Sequence, residues 1–217
     1  MDIHAHVLFK HSSTGRLTVV NEPPFEAAPL IFIGITKSGR IVSYGSGLKD
    51  TSVQKIESIL SAKSELEIKE LVNCLQEDEV VREISIGPAY IFPEVAEEKG
   101  ITARINATNR SALLPNFPYL FAELEYKEPV YAILEDGIAV SVCHSSRQTT
   151  QAAEAGLYTL EKYRRNGYGT MVALAWARAL QDQGRLALYS TSWDNLISQA
   201  VASRLGLKTY GMDLHFR

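Results

Sequence analysis

The stretch KYRRNGYGTMVALAWARAL, Lys162 to Leu180, limits what this chain can fold into more than any other. Its second part, TMVALAWARAL, is rich in Ala and Leu and lacks the period-two alternation of a strand, so it is expected to be a helix. Asn166-Gly167 is by itself a strong hairpin signal, yet here it leads into that helix. A helix start presents unpaired N–H groups and the positive end of the peptide dipole. Gly167 and Gly169 let the backbone approach an anion, Arg164 and Arg165 add charge, and Thr170 opens the helix. A phosphate-binding loop follows from that combination. Neither the Gly-Lys-Ser/Thr of a nucleoside triphosphate loop nor the three-glycine dinucleotide fingerprint is present, so the anion belongs to another cofactor.

The 217 residues are 46% apolar, enough for a sizeable core in one large domain or two small ones. Charge divides unevenly. Residues 1–100 hold 10 Lys and Arg against 15 Asp and Glu, net −5, and residues 101–217 hold 12 against 10, net +2. That split argues for two units and against nucleic-acid binding. Cys74 and Cys143 are read as buried, reduced side chains, which points to the cytoplasm. The chain begins without a basic, apolar leader and has no run near the length of a spanning helix, so a soluble, unprocessed protein without a membrane partner is expected. His4, His6 and His11 invite a metal reading, but a strand would put His4 and His6 on one face without a carboxylate or thiol partner, and no metal is expected.

In the first hundred residues, short apolar runs at 6–9, 17–20, 30–35 and 40–44 are separated by turn chemistries and read as a small antiparallel sheet. Asp50, Thr51 and Ser52 cap a helix over 53–62, Ser64 caps a second to about 76, and 79–86 is a strand closed by Gly87-Pro88. The charged stretch 94–100 marks the boundary. From Ile101 the order is strand 103–107, a mainly helical 108–125, a hairpin of 130–135 and 138–144 across Asp136-Gly137, strand 153–160, the loop and helix, strand 185–190, helix 195–205 and strand 208–216. The fold class is α+β, a mixed sheet flanked by helices and preceded by a small α+β N-terminal domain.

Arg164-Arg165-Asn166-Gly167-Tyr168-Gly169 fits the Gln/Arg-x-x-Gly-x-Gly/Ala signature of the GNAT superfamily of acyl-CoA N-acyltransferases. The preceding GLYTLEKY is similar to that family's Leu-Tyr-Val-x-Pro-x-Tyr lead-in, with Thr159 and Glu161 in place of Val and Pro. WDNLISQAVASRLGL resembles its second segment, Asn-x-x-Ala-x-x-x-Tyr-x-x-x-Gly-Phe. The resemblance spans about residues 101–217 and implies the GNAT fold, with residues 1–100 looking like the accessory domains that some members carry. It implies that the loop amides of residues 164–170 bind the pyrophosphate of acetyl-CoA, the co-substrate. The pantetheine arm would pair with the backbone of Tyr158 and Leu160, and the Tyr158 N–H would stabilise the oxyanion. Asn195 would contact the pantetheine arm, or equally serve as a helix N-cap.

By the same resemblance, Glu154 stands where the histone-modifying branch has its general base, with a raised pKa expected on a central strand. Alternatively it only solubilises the wet end of the strand, with His144 as the competing base. The Tyr that many members carry seven residues after the second segment's Asn is Ala202 here. Tyr210 then supplies the acid or packs on the sheet, or water or no side chain does the work. Ser190, Ser192, Trp193 and Asp194 lie where an acceptor amine would be oriented, Trp193 serving as a cation face or capping the core. The leading expectation is direct transfer of an acetyl group to a primary amine, of a small molecule or a protein, through a ternary complex. A homodimer is one form this enzyme would take. A non-catalytic acyl-CoA-binding or sensing module is the rival, and an interaction protein run by the first domain is a third reading.

Overall fold

The structure is a computed structural model describing residues 1–62, 65–96 and 100–217. In chain order the elements are α1 (Asp2–Leu8), β1 (Phe9–His11), β2 (Leu17–Val20), β3 (Ile31–Thr36), β4 (Gly39–Tyr44), α2 (Asp50–Ala62), α3 (Ile68–Leu75), β5 (Ile84–Ile91) and β6 (Ala103–Ile105). Then follow α4 (Pro118–Ala122), α5 (Leu124–Lys127), β7 (Val130–Glu135), β8 (Ile138–Gln148), β9 (Ala152–Thr159), α6 (Tyr168–Gln181), β10 (Leu186–Ser190), α7 (Leu196–Arg204) and β11 (Lys208–Phe216). The expected cap Ser64 and part of the expected boundary stretch 94–100 fall outside the described residues.

Nine strands form one mixed sheet in the order β4-β3-β11-β5-β10-β9-β8-β7-β6, and β1 and β2 make a separate pair. All neighbours are antiparallel except β9 and β10, which run parallel. Strands from before and after residue 100 share this sheet, because β5 pairs with both β10 and β11, and β11 also pairs with β3. Alternation of side chains divides the core between the two faces. Ile31 and Ile33 of β3 pack on α2 and α3, and Ala153 and Ala187 pack on α6 around Trp176. On the other face, α1 covers Phe32 through Ala5 and Leu8, and covers Ala152 and Leu188 through Val7. The same face carries α4 and α5, packed on Val130, Ala132 and Val142.

Most of the expected second half is present. The hairpin turn has Asp136 at φ 50 and Gly137 at φ 78, as a type I′ turn requires. Three expectations need correction. Residues 6–9, read as a strand, are mostly the end of α1; the buried positions 4, 5, 7 and 8 follow helical spacing, and His4 is buried while His6 is exposed. The strand placed at 79–86 is Ile84–Ile91. Gly87-Pro88 lies inside it, because the Thr191 carbonyl presses on Gly87 where a Cβ would stand. The mainly helical 108–125 is broken into a 3-10 turn, Arg110–Leu113, and the short α4, which starts at Pro118.

Candidate functional site

Strands β9 and β10 are in register only at 152/186, 153/187 and 154/188. Beyond Glu154 they part, and α6 starts beside the gap. A cleft of about 540 Å³ opens there on the α6 face, walled by Leu157 to Thr159, by the loop and by α7. Arg164, Arg165, Gly167, Tyr168, Gly169 and Thr170 all line it, as the sequence led us to expect, whereas Asn166 and Leu160 do not. Gly167 is the N-cap of α6 at φ 79 and makes no side-chain cap, so the first N–H groups of the helix are left for a ligand. Arg165 also takes a left-handed φ of 67, which a non-glycine residue adopts at a cost of about 1–2 kcal/mol. The rim is apolar and exposed, with Leu196 72% and Ile197 75% accessible. Tyr168 donates a hydrogen bond of 2.7 Å to Glu135, which ties the helix start to the hairpin.

Backbone direction corrects the expected pantetheine contacts. The N–H and C=O of one residue share a side of the strand, and successive residues alternate. Leu186 donates to Gln151, which turns odd residues of β9 toward β10, and Leu160 donates to Val140 at 3.0 Å, which turns even residues toward β8. Tyr158, paired with Val142, therefore spends its N–H inside the sheet, as does Leu160. Leu157 presents its N–H to the gap. The signal was in the sequence only through register, which a motif does not carry.

Glu154 sits at the fork, 5% exposed. The Ser190 hydroxyl donates to its Oε1, Arg147 stands 3.7 Å from Oε2, and His4 Nε2 lies 3.8 Å from Oε1. Burial alone raises the carboxyl, but His4, Arg147 and Ser190 outweigh it, and the pKa falls to about 2. The expected rise is thus reversed, because positive and donating groups surround the carboxylate. His144, on β8, is buried over Gly156, which has no Cβ to meet its ring. Burial first and Lys127 second lower it to about 3, so it is neutral at physiological pH.

Tyr210 is removed from this cleft. Its hydroxyl is 2.8 Å from His4 Nδ1, and burial, then Glu154 and Asp213, push its pKa up. Tyr189 does line the cleft, is 6% exposed and keeps its proton because burial, above all, raises its pKa. Sequence reasoning passed over it, since the family pattern directs attention to position 202, where Ala202 is fully buried. Asn195 accepts from the Ser198 N–H at 3.0 Å as the N-cap of α7, so of its two readings the cap is the one seen. It lies with Ser190 and Ser192 on a second cavity of about 350 Å³ on the α1 face. Trp193 is 49% exposed and borders neither cavity. Among the described residues no group of three or more His, Cys, Asp or Glu is arranged to hold a metal, and no helix is long and apolar enough to cross a membrane.

No curated protein matches the sequence. Among solved structures, a GCN5-related N-acetyltransferase-like protein from Streptococcus suis 89/1591 is 15% identical with a TM-score of 0.53, over 88% of this chain and 85% of that one. An acetyltransferase from the GNAT family of Colwellia psychrerythraea is 13% identical with a TM-score of 0.52, over 81% and 75%. A GNAT-family protein from Novosphingobium aromaticivorans DSM 12444 is 16% identical with a TM-score of 0.51; 63% of this chain matches 65% of that one, just under two thirds of its length. These likenesses establish the mixed sheet flanked by helices. The GNAT acetyltransferase family model matches residues 129–211, from the start of β7 to β11, which includes the fork, the loop and both helices of the cleft. Residues 129–211 are thus the part of the chain that is similar to the GNAT acetyltransferase family.

Proposed function

We propose that the protein is an N-acetyltransferase that moves an acetyl group from acetyl-CoA directly to a primary amine. The observation that carries this reading is the 540 Å³ cleft, in which a glycine-rich, doubly basic loop, an uncapped helix start and a free strand edge converge. Pyrophosphate would sit on the amides at the start of α6 with Arg164 and Arg165 beside it, and the pantetheine arm would cover Leu196 and Ile197. The Leu157 N–H, in place of Tyr158, would face the thioester oxygen as negative charge develops there.

The amine attacks the thioester carbonyl carbon as a neutral nucleophile. Collapse of the tetrahedral intermediate forms the amide and breaks the C–S bond. Tyr189, protonated and at the cleft wall, gives its proton to the departing thiolate and is refilled by the proton that the nitrogen loses. A carboxylate with a pKa of about 2 is a weak base. Glu154 is therefore assigned to holding Ser190 and the local negative field, and the acceptor's ammonium loses its first proton to water. The reading is tested by two measurements. Acetyl-CoA should raise the melting temperature, and free thiol should appear when amines are added. A non-catalytic acyl-CoA module is favoured by one observation, the buried Ala202 in place of the family's tyrosine; it predicts the first result without the second.

A further inference from the structure

Two groups from outside residues 129–211 reach the carboxylate at the fork. The first is His4 of α1, which is 1% exposed. Its helix is seated beside the fork, because Val7 packs on Ala152 and Leu188, next to where β9 and β10 part. Its start is seated as well: the side chain of Met1 lies over Gly34 of β3 and Gly211 of β11, where a Cβ on either would crowd it. The His4 ring is thereby set between two carboxylates and a phenol. Nδ1 is 2.8 Å from the Tyr210 hydroxyl and 3.8 Å from Asp213 Oδ2, and Nε2 is 3.8 Å from Glu154 Oε1.

Tyr210 keeps its proton, so its hydroxyl can donate to Nδ1, and the ring then carries a hydrogen on Nε2 facing Glu154. The other neutral tautomer would set a bare lone pair against a carboxylate in a buried site, which is costly. Nε2 makes no hydrogen bond at 3.8 Å, so its hold on Oε1 is electrostatic. The other oxygen is held in two steps. Arg147 Nη1 stands 3.7 Å from Oε2, and Glu22, in the segment after β2, fixes that guanidinium from behind. Glu22 Oε1 accepts from Arg147 Nε at 2.9 Å and Nη2 at 2.6 Å, and its Oε2 accepts from the buried Lys127 at 3.1 Å. The neighbouring Asn21 amide donates to the carbonyls of Val7 and Gln148, at 3.0 and 2.9 Å, and so ties this segment to both α1 and β8.

We infer that His4 and Glu22 are positioning residues of the acetyl transfer, holding the two oxygens of Glu154 so that its carboxylate stays fixed against Ser190 at the fork. The attacking nitrogen turns positive as it bonds to the carbonyl carbon, before it loses its proton. A negative group held in place stabilises that charge without reorienting, and one drawn toward Arg147 alone does not. The inference rests on the acetyltransferase reading for what the carboxylate serves, but not for the way it is held. The first hundred residues thus complete the fork from behind.

Turnover of the full-length protein with acetyl-CoA and a panel of primary amines separates positioning from packing. An Asn side chain reaches the place of Nδ1 and a Gln side chain that of Nε2. His4→Asn keeps a partner for Tyr210 and loses the group facing Glu154; it should lower kcat about 10-fold or more, with KM for acetyl-CoA unchanged. His4→Gln returns a donor toward Glu154 and should lose about 3-fold or less. Glu22→Gln keeps the shape but not the charge behind Arg147 and should lower kcat about 3- to 10-fold; it leaves the α1 core intact if the His4 variants misfold. The hold itself is read without turnover, by urea unfolding of His4→Asn, Glu154→Gln and the double variant at pH 7. The double variant's unfolding constant should fall short of the product of the single effects by about 3-fold or more. Equal losses in the Asn and Gln variants, a change in KM without one in kcat, or independent effects in unfolding overturn the proposal. Coupling between His4 and Glu154 without thiol release from any amine upholds the hold and overturns the acetyltransferase reading; thiol release at wild-type rates by all three single variants does the reverse.

Discussion

Replacing Glu154 by Gln removes a charge while keeping the shape and the acceptor for the Ser190 hydroxyl. The carboxyl drops from its ordinary 4.5 to about 2 in the folded protein, which corresponds to about 3 kcal/mol of stability. The sign follows from proton uptake. Between the two values the unfolded chain holds more protons than the native one, so this stabilisation is complete above about pH 5 and disappears as pH falls through 2. At pH 3.5 about 2 kcal/mol should remain, and at pH 2 less than about 0.5 kcal/mol. Urea unfolding of wild type and Glu154→Gln, followed by circular dichroism from pH 7 to pH 2.5, reads the difference directly. Other titrating groups, His144 among them, act on both proteins and cancel. At pH 7 the variant should melt about 6–12 °C lower for a chain of this size. A stability gap that stays constant across the acid range would refute the claim that His4, Arg147 and Ser190 hold this carboxylate ionised.

Gly167→Ala places a side chain at φ 79; it should destabilise by about 1 kcal/mol and weaken CoA binding, measured by calorimetry. Tyr189→Phe should lower kcat about 10-fold or more while the dissociation constant for acetyl-CoA holds, in a thiol-release assay with equilibrium binding alongside. Gly156→Ala drives a Cβ into the His144 ring and should cost about 1–3 kcal/mol in thermal unfolding. With Glu154 near 2 and His144 near 3, kcat/KM should rise from pH 5 to 8 at the slope set by the acceptor's own ammonium, and a plateau within that range would reveal an internal base.

What the sequence made legible is what local chemistry decides. The α6 loop, the Asp136-Gly137 turn and the order of elements after residue 101 rest on glycine positions and short periodicities, and the structure has them. Misreadings arose where distant segments set the outcome. Residues 6–9 are a short apolar run of strand length, yet α1 buries two adjacent pairs of side chains against β3 and β9. Gly87-Pro88 looks like punctuation until Thr191, far along the chain, is laid over it. Glu154 is the sharpest case: position on a central strand suggested a raised pKa, and only the fold brings His4 and Arg147 beside it. Leu157 and Tyr189 were missed because a motif names residues, while sheet register decides which backbone group and which face meet the cleft.

The interleaving of early and late strands also bears on how the chain is made. β11 fits between β3 and β5, so residues 31–36 wait for residues 212–216 before the middle of the sheet is paired. Contacts so far apart in sequence slow folding, and during synthesis the edges of β3 and β5 stand open to other chains. A fragment that stops before residue 208 would keep the α6 loop and α7 intact and still lack the strand that joins the two groups of strands. Production of the protein, more than its chemistry, is where that topology should be felt: a nascent chain arrested short of β11 is a natural substrate for chaperones.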